Sequence, residues 1–135
     1  MLTERCETMN IEKNTNARVF NALLAEKIGL SESIMLQQIH YWCEVNKSKK
    51  QNYKDNHYWT YNTYQEWHRQ FPFFSIKTIQ RTIKNLESKC YIVTANYNSY
   101  KIDKTKWYRV NYPELETKTL CNKSVFHSVA TYNPF

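Results

Sequence analysis

Lys77, Gln80, Arg81 and Lys84 recur three or four positions apart, with Thr78 beside them, in the stretch 74–87. On a helix, residues at that spacing share one face. Their chemistry is that of donors to anions and to nucleobases. Lysine meets a phosphate as a point charge, whereas the arginine fork, the glutamine amide and the threonine hydroxyl suit base edges in a major groove. Ile76, Ile79, Ile83 and Leu86 fall on the opposite side and predict a buried stripe. Such a helix alone reads equally well as an ordinary solvated amphipathic face, and its neighbours carry the decision.

Upstream, Thr63-Tyr64-Gln65-Glu66 has the pattern of a capping box, which opens a helix through about Gln70. Phe71-Pro72-Phe73-Phe74 closes it, because the residue before a proline disfavours helical geometry, and Ser75 is placed to cap the next helix, 75–88. Downstream, 90–96 and 107–112 read as two strands joined by 97–106, a hairpin whose tip gathers Lys101, Lys104 and Lys106. Helix, tight turn, helix and hairpin is the order of a winged helix-turn-helix, with the second helix in the groove and the hairpin against the backbone or the adjacent minor groove. The aromatic run His57–Tyr61 adds a short extra strand.

The earlier chain supplies the scaffold. A helix from about Ala17 carries Val19, Phe20, Leu23, Leu24 and Ile28 on one side and stops at Gly29. Ser31 is expected to cap the following helix with Glu32 at its positive end. That helix is apolar over more than half its circumference (Ile34, Met35, Leu36, Ile39, Tyr41, Trp42, Cys43, Val45), so it is expected at the centre of the core, with a homodimer face as an outlet for the excess. Residues 46–56 read as a polar, basic connector, a solvated linker slightly more readily than a loop that touches the DNA backbone. The fold class is therefore α+β, with about four helices, and the organisation is a polar arm 1–15, a winged-helix domain 16–113 and a tail 114–135.

A chain of 135 residues supports one core, and its net charge of +7 favours a polyanionic partner, nucleic acid before an anionic membrane surface. No apolar run is long enough to span a membrane, and the acidic N-terminus carries no secretory signal, so a cytoplasmic protein is expected. Cys6, Cys43, Cys90 and Cys121 lack a Cys-x-x-Cys pair, which points to reduced thiols and away from a zinc finger. His40 and Cys43, three apart, read as a core edge more readily than as half of a metal site. A single glycine, Gly29, excludes phosphate-cradling loops and dinucleotide fingerprints. His57 and His68 have no foreseeable acidic or nucleophilic partner, with His68 on a solvated face, and the 12 acidic residues are scattered. No catalytic site, metal or cofactor is expected.

The runs Leu23–Trp42, Trp59–Trp67, Phe71–Ile83 and Lys104–Tyr108 together resemble the winged-helix N-terminal domain of replication-initiation proteins carried by phages and mobile elements of Gram-positive bacteria. The likeness spans about residues 19–112. It implies binding of double-stranded DNA through the helix-turn-helix and wing, in replication initiation or its regulation. Such initiators usually continue past the wing into a domain that contacts the replication machinery, whereas here the wing is followed by 114–135. Two other roles therefore stand beside initiation. One is a transcriptional regulator of a mobile element. The other is a winged helix turned to binding a protein, such as an inhibitor of a host nucleic-acid-binding defence protein.

Overall fold

The computed structural model describes residues 17–119. The arm 1–15 with Arg5 and Lys13, the segment from 120 on with Phe126, Val129 and Phe135, and Cys6 and Cys121 lie outside the described residues. In chain order the elements are α1 (Ala22–Ile28), α2 (Leu30–Lys49), β1 (Tyr53–Lys54), β2 (His57–Tyr58), β3 (Thr60–Asn62), α3 (Tyr64–Gln70), α4 (Ile76–Ser88), β4 (Ile92–Ala95), β5 (Lys106–Val110) and α5 (Tyr112–Thr119). The fold is mixed α+β, with two small antiparallel sheets, β1-β2 and β3-β5-β4.

Helix α1 starts at Ala22, five residues later than its apolar pattern predicts. Asn21 accounts for this: its side chain accepts the Leu24 amide at 2.9 Å, a cap that fixes the start. Leu24 and Ile28 are buried, while Phe20 and Leu23 are exposed. Gly29 ends α1 and begins α2 at once, with φ near 110°, and a Cβ there would lie 2.3 Å from Glu32 Oε1. Ser31 therefore sits inside the first turn and does not cap it; its hydroxyl donates to Glu32 Oε1.

Helix α2 is the core helix, buried along Ser33–Tyr41 and again at Cys43 and Asn46. The surrounding elements α1, α4, β5, β2 and β3 pack on it, and of the apolar residues named for its excess surface Trp42 and Val45 stay half-buried. Several of its polar side chains are tied to other elements. Gln38 Nε2 and Trp42 Nε1 both donate to Gln70 Oε1 at 2.9 Å, and Asn46 Nδ2 donates to the Trp59 carbonyl at 2.8 Å. His40 hydrogen-bonds the Tyr112 hydroxyl, which makes it a core residue.

The basic connector 46–56 is more ordered than its composition suggests. Residues 46–49 belong to α2, Lys50 takes the left-handed conformation that ends it, and Asp55-Asn56, both at positive φ, turn β1 into β2. Aspartate and asparagine tolerate that geometry, which is what a two-residue hairpin requires. The expected strand 57–61 is split at Trp59, whose Nε1 donates to the Lys54 carbonyl, and its second half, β3, pairs with β5.

Thr63 and Glu66 form the capping box: Thr63 Oγ1 accepts the Glu66 amide at 3.1 Å and Glu66 Oε1 accepts the Thr63 amide at 2.8 Å. Thr63→Ala is expected to cost about 1 kcal/mol, read as a lower urea midpoint at constant slope. Past β5, Pro113 lies in the first turn of a fifth helix, where its missing N–H is tolerated. Leu115 of α5 is fully buried, so the segment expected to begin a tail at Glu114, with at most one short helix or strand, starts as a helix packed on the core.

Three acids titrate high because they are buried. The Cys43 thiol is pushed up to about 12, by burial first and the Glu44 carboxylate second. The Tyr108 and Tyr112 hydroxyls are raised above the usual phenol range, again by burial first. A raised acid favours the folded state only while the unfolded chain keeps the same proton. The melting temperature is therefore expected to fall progressively as pH rises from about 9, the ordinary thiol value, toward about 12. Cys43→Ser, whose hydroxyl does not titrate, should delay the onset in a melting series against pH.

Candidate nucleic-acid interface

Helix α4 is oriented by its two ends and by the turn before it. Ser75 Oγ accepts the Thr78 amide at 3.1 Å and donates to Thr78 Oγ1 at 3.0 Å, setting the first turn. His68 Nδ1 lies 2.8 Å from the Phe74 carbonyl, so that nitrogen carries the proton and ties α3 to the turn. His68 is thus half-buried in a structural contact, and not on the solvated face its position in α3 suggested. Ile79, Ile83 and Leu86 enter the core while Ile76 is only half-buried. Thr82 Oγ1 donates to the Thr78 carbonyl at 2.7 Å and lies 3.1 Å from Ser31 Oγ. Asn85 Nδ2 donates to Glu32 Oε2 at 3.1 Å, so that α4 is joined to the start of α2 along one flank.

The other face is open. Lys77, Gln80, Arg81 and Lys84 are exposed, and none of the four makes a hydrogen bond or ion pair among the described residues. No acidic residue lies in the first turn of α4. The donors expected to share a face do share one, standing over a buried stripe that holds the backbone still.

The hairpin β4–β5 lies along the other flank, in the register Ile92↔Val110 to Ala95↔Trp107. Lys106 Nζ is 3.0 Å from Glu87 Oε1 in an ion pair, and Glu87 Oε2 accepts the Thr94 hydroxyl at 2.8 Å. Burial lowers the Lys106 ammonium's affinity for its proton, and the Glu87 hydrogen bond and charge more than restore it, leaving it above its ordinary value. Lys106 is therefore engaged inside the protein, pinning the hairpin to α4. A groove of about 530 Å³ runs there, lined by Tyr64, Gln80, Lys84, Glu87, Ser88 and Lys106. Lys104 lines a second groove with Gln65 near the start of α3, and this groove shares Tyr64 and Lys106 with the first.

Lys101 stands apart from both grooves, at the hairpin tip between Tyr100 and Ile102, which are 75% and 88% exposed. The tip is shaped by Asn98, whose Nδ2 donates to the Asp103 and Thr105 carbonyls and whose Oδ1 accepts Trp107 Nε1. Asp103 accepts both the amide and the hydroxyl of Thr105, and these bonds hold its carboxyl below the usual range. A fixed anion thus sits among the hairpin lysines, and the cationic character of this element is weaker than the spacing of Lys101, Lys104 and Lys106 implies.

The structure brings Gln80, Lys84 and Lys106 to one groove, with Lys104 in the second groove and Lys77 and Arg81 on the adjoining helix face. Tyr64 and Glu87 were missed as members of this surface. Tyr64 follows a capping threonine, which marks it as a helix start and says nothing of grooves; Glu87 lies on α4, and only the β4–β5 register reveals its lysine. Among the described residues, no three His, Cys, Asp or Glu side chains stand together as metal ligands, and no helix is long and apolar enough to cross a membrane. Comparison of the chain with family models, curated proteins and solved structures returns no match.

Proposed function

We propose that the protein is a winged helix that binds double-stranded DNA, with α4 as the reading helix and the β4–β5 hairpin as the wing, in replication initiation or its regulation in a phage or mobile element. The observation that supports it most is the exposed, internally unpartnered row Lys77, Gln80, Arg81 and Lys84 on a capped and braced helix. In this reading Arg81 and Gln80 address base edges, Ser75 and Thr78 contact the backbone near the helix start, and Lys77, Lys84, Lys101 and Lys104 meet phosphates. Lys106 acts through its ion pair as a brace. The role includes no catalytic step.

The test is selection of bound duplexes from a random pool, followed by titration of a recovered duplex against salt. Enrichment of a common site is expected, with four lysine–phosphate contacts giving a log–log salt slope of about −3.6. Failure to enrich any site, with a shallow slope, would favour the second reading, a protein-binding module. The exposed Phe73, Tyr100 and Ile102 are what support that alternative, because large apolar side chains in water mark partner surfaces. It is expected to yield a saturable complex with a host or replication protein in a pull-down, with only weak, sequence-independent affinity for DNA.

A further inference from the structure

Away from α4, a cavity of about 330 Å³ lies between the second half of α2, the β1–β2 hairpin and the end of β5. Its size is at the lower end for small-molecule sites, which run from about 300 to 1,000 Å³. Aromatic rings form much of the wall: Tyr53 and Tyr58, whose centroids are 4.8 Å apart, and Tyr112. Into it also face Arg109, Lys47 and His57, with Glu44 the one carboxylate among its described lining residues.

Arg109 is the unexplained group. Its guanidinium carbon is 5.3 Å from the centre of the Trp59 ring, and its Nε is buried without a hydrogen-bond partner. Among the described residues it makes no ion pair. Burial lowers its pKa, and burial first and the Arg109 charge second lower that of His57, outweighing the opposite pull of the Asp55 carboxylate. Arg109 is half-buried, and an arginine whose Nε is shielded from water without a partner is suited to gain a carboxylate or phosphate on its fork.

We infer that this cavity is a binding site for a small organic oxyanion, a carboxylate or phosphate on a planar aromatic body, with the anion on Arg109 and Lys47 and the body against the tyrosine rings of the wall. The site is separate from α4, so its occupancy does not depend on duplex binding. The ring stacked under Arg109 makes Trp59 the internal reporter.

The experiment titrates the full chain with phenyl phosphate, benzoate and inorganic phosphate, following tryptophan fluorescence and melting temperature. Saturable binding of phenyl phosphate or benzoate is expected, at least tenfold tighter than inorganic phosphate. Arg109→Lys, which keeps the charge and removes the fork, should weaken it about 100-fold. Lys47→Gln, an exposed position whose loss leaves folding intact, should weaken it about tenfold and keeps the test valid if Arg109→Lys is unstable. Absence of saturation, equal affinity for inorganic phosphate, or unchanged binding by Lys47→Gln would overturn the assignment.

Discussion

The double variant Arg81→Ala/Lys84→Ala is expected to lose on the order of 100-fold in duplex affinity at moderate salt, while its melting temperature stays within a degree or two of the parent. Both side chains are exposed and neither has an internal partner, so truncation removes only what they do for a ligand. An arginine fork on a guanine contributes about 1–3 kcal/mol of discrimination, and a lysine on a phosphate contributes about one unit of salt slope. The slope should therefore fall from about −3.6 to about −2.7, and preference at one base position should relax. Lys106→Ala is the informative contrast. It breaks the pair with Glu87 and frees the hairpin, so duplex affinity should fall through a looser wing, with the salt slope nearly unchanged. Fluorescence anisotropy against salt reads both variants beside the parent.

The second large effect is on folding. Trp67→Ala is expected to destabilise the protein by about 3–5 kcal/mol, enough to unfold a marginally stable domain of this size at physiological temperature. Trp67 has no exposed surface, lies nearly parallel to Phe71 with centroids 6.0 Å apart, and meets the ring of Tyr108 edge-on at 5.6 Å. It joins α3, the turn and β5 in one packed contact. Trp67→Phe, which keeps a ring, should recover much of the loss. Urea unfolding at constant slope gives the difference.

What could be read in advance divides by the range of the interactions involved. The stretch 63–88 was legible almost residue by residue. Its signals are local: Thr63 and Glu66 three apart, a proline in the turn, Ser75 before an apolar period. The short strand before α3 was legible as a possible third member of the sheet because aromatic and β-branched residues cluster there, and β3 does pair with β5. The start of α1 was misread because apolar spacing extends through Val19 and Phe20, whereas Asn21 decides it by capping. The basic connector does face water along 47–56, as read, but its local structure was not legible: lysines and asparagines suggest a loop, whereas 46–49 extend α2 and Asp55-Asn56 is a tight turn in which those same residues are at home. A short helix or strand was allowed for in the tail, but neither the start of α5 at Tyr112 nor its docking was legible, because its apolar content is low and Leu115 is buried in a core built from distant elements.

For the site, the helix face followed from periodicity alone. The fate of Lys106 and the convergence at Arg109 did not, because strand register decides which side chains meet, and one residue of slip would exchange the faces of β5. The pairing of His68 with the Phe74 carbonyl was equally unreadable, since it depends on how tightly the chain reverses at Phe71–Phe74.

The central claim is that α4 faces a duplex. Amide chemical-shift mapping of the full chain with a selected duplex measures it most directly. Shifts concentrated at Lys77, Thr78, Gln80, Arg81 and Lys84, with a second set at Lys101 and Lys104, are the expected result. Shifts confined to the β1–β2 hairpin and the aromatic face around Tyr61 and Trp107, with α4 unmoved, would contradict it.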